Sequence, residues 1–345
     1  MHFHLFGTVT TAFLIHFPNS SPSSYLFAQK ETSSNDEPCH THDNSLIQEY
    51  TKFRSNYNLQ TSILQAKHTL LSVAASLMTT PPEVFTSPPM IDPNGPPSSV
   101  EAYQRRTRIS FVLENGWISG PDAYSVSVDE LNCLDDNVMG SDVGIEQPRP
   151  STYGEITELG ARQLFHYMGL LGDQASNIRN VTFADLGCGS GKLLVLAYME
   201  LPCIERLLGV ELSETRFQAA IQAWDKVCED AFDLRLAICN KNAIMNIQCD
   251  DLLQIDLSPV THIYVASLCF TDEMMERLAK KLVQDMIMAK DKQNIQVIAT
   301  LKPFPSTYSR FFGKDDKFFV EMSWTKPLGT GTVVHIYKFE ATTVV

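Results

Sequence analysis

Apolar and polar stretches alternate along the second half of the chain in a way that predicts strands separated by helices. The predicted buried strands are the short apolar runs at residues 181–186, 206–210, 243–248, 261–268 and 295–301. Amphipathic segments with helical spacing lie between them. This alternation is typical of an α/β protein with a parallel sheet and helices on both faces. Two later runs, residues 318–322 and 332–339, are expected to complete the sheet as an antiparallel hairpin.

The first half of the chain predicts helices and linkers. Apolar residues recur at helical spacing over residues 46–78, which we expect to form one long helix or two, ended by Pro81 and Pro82. A proline-rich linker follows, a helix is predicted over residues 100–112 and another over 156–171. We therefore expect a disordered or targeting segment at residues 1–43, a helical region with the linker at 44–147, and the α/β domain at 148–345.

One glycine-rich stretch organises the candidate chemistry. Asp185 ends the first predicted strand, and the sequence D-L-G-C-G-S-G-K runs from there into an apolar helix. Glycines at 187, 189 and 191 allow positive φ and let a ligand approach the backbone. Glu211 ends the next strand, where an acid commonly binds ribose hydroxyls. The pattern predicts a nucleotide-like cofactor, and the alternative is a glycine turn without a ligand.

The spacing of the glycines narrows the choice of cofactor. A dinucleotide site needs G-x-G-x-x-G, and a phosphate-binding loop needs Ser or Thr after Gly-Lys, where this chain has Leu193. The remaining pattern resembles motif I of the S-adenosylmethionine-dependent methyltransferases. An acid at Asp185 suits the ammonium group of that cofactor and would repel a pyrophosphate.

Charge and cysteine content exclude some other functions. The net charge of −13 and the lack of a basic block argue against broad binding to nucleic acid. The eight cysteines show no paired metal spacing, so we expect no metal. No apolar stretch is long enough to cross a membrane, and we expect no membrane partner. The apolar start of the chain, residues 1–28, leaves secretory or organelle targeting open, although it lacks the basic residues such signals carry.

A wider set of motifs resembles one family, the non-SET histone lysine methyltransferases of the disruptor-of-telomeric-silencing type. The motifs are T-Y-G-E at 152–155, D-L-G-C-G-S-G, G-V-E at 209–211, C-D-D-L at 249–252, L-K-P-F at 301–304 and S-W-T at 323–325. The resemblance covers about residues 148–339. It implies a Rossmann-like, seven-strand methyltransferase sheet after a small helical region. It also implies a nuclear, monomeric chromatin regulator that uses S-adenosyl-L-methionine to methylate a lysine of histone H3 in nucleosomes.

The resemblance also implies roles for individual residues. Cofactor binding falls to Tyr153, Gly154, Glu155, Asp185, Gly187, Gly189, Lys192 and Glu211, with Asp250 or Asp251 at the adenine. We expect the far side of the bound cofactor to be lined by Phe270, Lys302, Pro303 and Phe304. The candidate catalytic set is Tyr153, Ser267, Phe270 and Trp324, with Trp324 and Phe270 walling a lysine channel.

The run after the fourth predicted strand departs from this family. Where the family has two asparagines, this chain has Ala266 and Ser267. Ser267 could supply part of the missing polar contact to the amine, or it could be a core serine. The departure keeps two other functions open: a methyltransferase for another protein or a small molecule, and a cofactor-binding protein that has lost transfer.

Overall fold

The structure, a computed structural model, describes residues 41–77, 98–117, 122–139, 154–172, 175, 177–233, 243–288, 294–325 and 331–339. Contacts group the chain into two units, Met1–Asp43 and Asn44–Val345. The helices are α1 (Thr41–Leu77), α2 (Val100–Gly116), α3 (Val128–Met139), α4 (Glu158–Tyr167), α5 (Lys192–Glu200), α6 (Glu214–Asp233), α7 (Asp272–Met288) and α8 (Ser309–Phe312). The strands are β1 (Val181–Leu186), β2 (Ile204–Glu211), β3 (Ile244–Cys249), β4 (His262–Val265), β5 (Val297–Thr300), β6 (Asp315–Val320) and β7 (Thr332–Lys338).

The strands form a seven-stranded sheet in the order β3-β2-β1-β4-β5-β7-β6. The first five strands are parallel, and β7 runs antiparallel between β5 and β6. This arrangement is an α/β, Rossmann-like seven-strand sheet, which confirms the predicted fold class and the closing hairpin. Strand order reverses beside β1, since β2 lies on one side and β4 on the other. A crevice opens at such a point, at the carboxyl ends of the strands.

Two apolar clusters cover the two faces of this sheet. Every residue of β1 is buried, and its side chains alternate between the clusters. Phe183 contributes to one cluster, where it meets Phe165 of α4 edge to face at 6.0 Å between ring centroids. Leu186 contributes to the other, together with Met275 and Leu278 of α7. Burial on both faces explains why β1 is a continuous apolar run in the sequence.

Several element boundaries differ from the sequence prediction, and β6 begins three residues early, at Asp315. Strand β4 ends at Val265 because Ser267–Cys269 turns away as a short 3-10 helix. Helix α4 begins at Glu158, since Ile156 pairs with Met322 in an isolated β-bridge. Helix α1 is a single helix that begins at Thr41.

Helix α2 packs onto the apolar cluster that contains Phe183 of β1. Ile109, Val112 and Leu113 are buried there. The Arg105 guanidinium donates to the carbonyl oxygen of Met199 at 2.9 Å, near the end of α5. Past the C-terminal end of α2, Trp117 Nε1 donates to the carbonyl oxygen of Ser190 at 2.9 Å, just before α5 begins. The helical region thus holds both ends of α5.

Candidate functional site

The turn between β1 and α5 is open toward the crevice and closed toward the protein. Gly187, Gly189 and Gly191 have φ of 84°, 55° and 77°, a region that favours glycine. A Cβ placed on Gly187 would meet no heavy atom within 4 Å. The amides of Gly187 and Cys188 donate to the Val210 carbonyl oxygen at 2.8 and 3.0 Å, which fixes the turn against β2. The backbone can therefore contact a ligand without rearranging.

A cavity of about 440 Å³ lies at this point, a volume suited to a small organic ligand. All the predicted cofactor residues that the structure describes line this cavity: Gly154, Glu155, Asp185, Gly187, Gly189, Lys192, Glu211, Asp250 and Asp251. Phe270 and Trp324 of the predicted catalytic set line it too. Tyr153 lies outside the described residues.

Two buried carboxyl groups stand at the floor of the cavity. Asp185 is only 3% exposed, and among the described residues its Oδ1 has no hydrogen-bond partner. Burial, reinforced by the nearby charge of Glu211, raises the pKa of Asp185 to about 8. Burial also raises the pKa of Glu211, against the opposing effect of its hydrogen bonds and of Arg216. An unsatisfied acid of this kind is costly unless a cation or donor joins it.

The Glu211 carboxylate already organises the backbone around it. Its Oε2 accepts from the Gly189 amide at 2.8 Å and its Oε1 from the Ser213 amide at 2.9 Å. Because a carboxylate has about four acceptor sites, both oxygens can still accept from ligand hydroxyl groups. Glu211 therefore links the glycine turn to the start of α6 and keeps acceptor capacity for a ligand.

A second charged group lies where α5 begins. Lys192 Nζ is 3.1 Å from Glu155 Oε2, and Ser190 Oγ donates to Glu155 Oε1 at 3.1 Å. Gly154, just before, lies under the indole of Trp324: a Cβ placed on it would be 2.4 Å from Trp324 Cζ3. The segment containing Gly154 and Glu155 is therefore packed between the glycine turn and Trp324.

The two neighbouring aspartates after β3 differ in their surroundings. Asp250 Oδ1 accepts from the Asp251 amide at 2.7 Å, and Asp251 Oδ1 accepts from the Leu253 amide at 2.9 Å. Asp250 is exposed and Asp251 half-buried, and both line the cavity. The structure brings both to the site, so the choice between them at the adenine stays open.

Part of the cavity lining is an apolar wall. It is formed by Ala266, Leu268, Cys269, Phe270, Met274, Leu301 and Trp324. Trp324 is 42% exposed and Leu268 39% exposed, so both face the solvent as well as the cavity. This wall has the character of a channel for an uncharged acceptor group.

The structure does not bring Ser267 to the cavity lining. Its side chain is fully buried, and its Oγ accepts from the amides of Leu301 and Lys302 at 3.1 and 3.0 Å. These bonds tie the 3-10 turn to the end of β5, a structural role. Lys302 donates instead to the Phe270 carbonyl oxygen, and Phe304 stacks on Phe312 in the core.

Some cavity residues were not anticipated from the sequence. They are Leu134 of α3, Cys188, Arg216 of α6 and Tyr264 of β4. Tyr264 could have been found, since the parallel register places it directly beside Asp185. Leu134 could not, because α3 precedes the glycine turn by some fifty residues and has no chemical motif.

Metal and membrane features are both lacking from the described part of the chain. No group of three or more His, Cys, Asp and Glu side chains there is arranged to hold a metal ion. None of the helices in that part is both long and apolar enough to span a bilayer.

Comparisons with known proteins gave structural likenesses. No protein-family model and no curated protein matched the sequence. An RNA methyltransferase from Salinibacter ruber in complex with S-adenosyl-L-homocysteine is 13% identical, with 52% of this chain and 88% of that one covered and a TM-score of 0.32. The human methyltransferase 10 domain containing protein is 12% identical, with 64% and 99% covered and a TM-score of 0.35. A cyclopropane synthase from Mycobacterium tuberculosis is 15% identical, with 52% and 54% covered and a TM-score of 0.31.

Proposed function

We propose that this chain is an S-adenosylmethionine-dependent methyltransferase that acts on a lysine side chain of a basic protein, with histone H3 as the first candidate. One observation carries the cofactor part. Asp185 and Glu211 end adjacent strands at the crevice, beside a glycine turn whose backbone faces open space. A partnerless buried carboxyl oxygen at Asp185 fits a ligand that carries a cation, and S-adenosylmethionine does.

The cavity offers a separate partner for each part of this cofactor. Glu211 has acceptor sites left for ribose hydroxyls, and Asp185 for the ammonium group. Lys192, 32% exposed at the start of α5, can contribute charge toward the carboxylate of the amino-acid end. Asp250 and Leu252 lie on the β3 side, where the adenine would be held. The residues present therefore fit the cofactor.

The bound cofactor would supply an electrophilic methyl group on a sulfonium sulfur. The residues of the chain then have to orient the acceptor and exclude water, because methyl transfer is an in-line displacement. An acceptor lysine must first lose its proton, and its ordinary pKa is about 10.4. The apolar wall of Leu268, Phe270 and Trp324 would disfavour the ammonium form and lower that value. Leu268, Phe270 and Trp324 would hold the neutral amine in line with that methyl group and keep water away from it.

Charge supports a basic protein as the acceptor. Of the exposed acids, Asp250 lines the cavity, and Asp272 and Glu273 immediately precede Met274, which lines it too; the chain carries a net charge of −13. Such acids attract a lysine-rich protein surface, so on a nucleosome they should face histone and not DNA. We expect the protein to act as a monomer on nucleosomes in the nucleus.

The acceptor is tested by labelled methyl transfer. The protein would be incubated with methyl-labelled S-adenosylmethionine and, separately, nucleosomes, free histone H3, H3 with its core lysines replaced by arginine, and small RNA. We expect label on H3 that disappears with the lysine replacements. Label on RNA alone, or on none of these acceptors despite cofactor binding, would overturn the lysine assignment.

The cofactor part is tested by calorimetry with S-adenosylmethionine and its product. Glu211→Ala removes charged hydrogen bonds and should weaken binding by about 2 kcal/mol. Glu214→Ala is the matched control, because Glu214 is an exposed acid three residues away that accepts from Gln218 and is not among the residues that line the cavity. Unchanged affinity in a folded Glu211→Ala protein, or no binding by the unaltered chain, would refute the cofactor assignment.

A further inference from the structure

Helix α3 crosses the cavity at the carboxyl edge of the sheet. Its Leu134 is 7% exposed and lines the cavity, and the helix contacts α7 on the β4 side. On the β2 side, Glu130 reaches the start of α6. The helix therefore spans both halves of the crevice, although it comes from a part of the chain without a chemical motif.

The contacts of Glu130 are unusually complete for a surface helix. Its Oε1 accepts from Ser213 Oγ and from the Thr215 amide, the latter at 3.1 Å. Its Oε2 accepts from Thr215 Oγ1 at 2.6 Å. Partial burial acts in the opposite direction, but these bonds and the charge of Arg216 hold the pKa of Glu130 below its usual range. A carboxylate at a helix N-terminus is stabilised in this way.

Ser213 connects this anchor to the cofactor site. Its amide donates to Glu211 Oε1 at 2.9 Å, while its hydroxyl donates to Glu130 and accepts from the Arg216 amide at 3.2 Å. One buried serine thus touches both acids. A shift of Glu130 would move the amide that holds one of the two Glu211 oxygens.

We propose that α3 is part of the cofactor site, with Glu130 as a positioning residue that orients Glu211 through Ser213 and Leu134 as an apolar contact for the ligand. This inference rests on the proposed function. Glu130 does not touch the ligand in this scheme. It fixes the carboxylate that does, and it holds Leu134 over the cavity.

The test compares Glu130→Gln with Glu214→Gln, which removes an exposed acid one position from Ser213. A glutamine at 130 cannot accept from all three donors, because its amide nitrogen is itself a donor. We expect S-adenosylhomocysteine to bind Glu130→Gln about tenfold more weakly, and Glu214→Gln with unchanged affinity. Circular dichroism and the melting temperature serve as folding checks. Leu134→Ala should also weaken binding, because it removes an apolar contact to the ligand that does not depend on the hydrogen bonds of Glu130.

A double-mutant cycle separates positioning from general stability. If Glu130 acts through Glu211, its removal should cost much less affinity once Glu211→Gln is present, whereas Leu134→Ala should cost the same in either background. Wild-type affinity in Glu130→Gln, or losses that simply add in the cycle, would overturn this inference and leave the proposed function standing. Failure of the unaltered protein to bind any adenosyl ligand would instead refute the proposed function itself.

Discussion

The buried carboxyl group of Asp185, whose Oδ1 has no hydrogen-bond partner in the described part of the chain, predicts that cofactor binding releases a proton. Burial beside Glu211 raises the pKa of Asp185 to about 8, so the free protein holds a neutral acid at pH 6 to 7. The ammonium group of S-adenosylmethionine would favour the charged form and lower that pKa. Because the ligand's own amino group stays protonated below about pH 7, affinity should rise up to tenfold per pH unit between about pH 5 and 7.

Calorimetry in buffers of different ionisation enthalpy counts the released protons. We expect about one proton per S-adenosylmethionine at pH 6.5, and much less for 5′-methylthioadenosine, which has the same nucleoside but no ammonium group. Asp185→Asn should remove the difference between the two ligands. If both ligands release equal numbers of protons from the unaltered protein, Asp185 does not face the ammonium group and the reasoning fails.

The same carboxyl group predicts how the stability of the free protein depends on pH. Its folded pKa is raised, so the folded state retains a proton that the unfolded chain has lost above about pH 4. Stability should therefore fall as pH rises toward 8, by about 4 kcal/mol from this group at pH 7. Denaturant unfolding at pH 5 and pH 7 should show about 2.7 kcal/mol of this loss in the unaltered protein, since the two pH values span two units, and a smaller loss in Asp185→Asn. If the free energy of unfolding changed equally with pH in the two proteins, the raised pKa of Asp185 would be contradicted.

Three further predictions concern the wall and the frame of the site. Trp324→Ala should abolish methyl transfer and weaken S-adenosylhomocysteine binding only slightly, because Asp185 and Glu211 belong to β1 and β2 whereas Trp324 packs on Gly154; an equal loss of binding would contradict this separation. Gly154→Ala should displace the Trp324 ring, visible in its fluorescence, because the added Cβ would lie 2.4 Å from Cζ3; an unchanged spectrum and rate would argue against that contact. Glu200→Ala should destabilise the fold by about 3 kcal/mol in urea, since it leaves the buried Arg162 without its bidentate partner; Glu205→Ala, on exposed surface, is the control.

Local signals explain what could be predicted from the sequence. The glycine turn, Asp185 and Glu211 lie within one strand–helix–strand unit, so spacing alone locates them. All seven strands contain a short apolar segment that the sequence reveals, although β6 begins with the charged residues Asp315, Asp316 and Lys317, which hide its start. For Ser267 the sequence leaves a cavity contact and a core serine open, and the structure shows the core serine; its partners, the amides of Leu301 and Lys302, lie more than thirty residues away and could not be named.

Long-range contacts explain what was missed. Glu130 meets Ser213 and Thr215 across more than eighty residues of chain, and nothing near residue 130 signals a ligand. The acidic segment around it suggests only a solvated surface. Its function depends on where the fold places α3, which periodicity does not reveal.

The hydrogen bonds that join the α2 region to both ends of α5 have a consequence for synthesis on the ribosome. Arg105 is made 94 residues before its partner Met199, and Trp117 is made 73 residues before Ser190. At ordinary elongation speeds α2 waits roughly 4 to 20 s for α5 to appear. During that interval the apolar face of Ile109, Val112 and Leu113 has no sheet to cover it. The nascent chain should therefore depend on a chaperone most strongly between the emergence of α2 and that of α5.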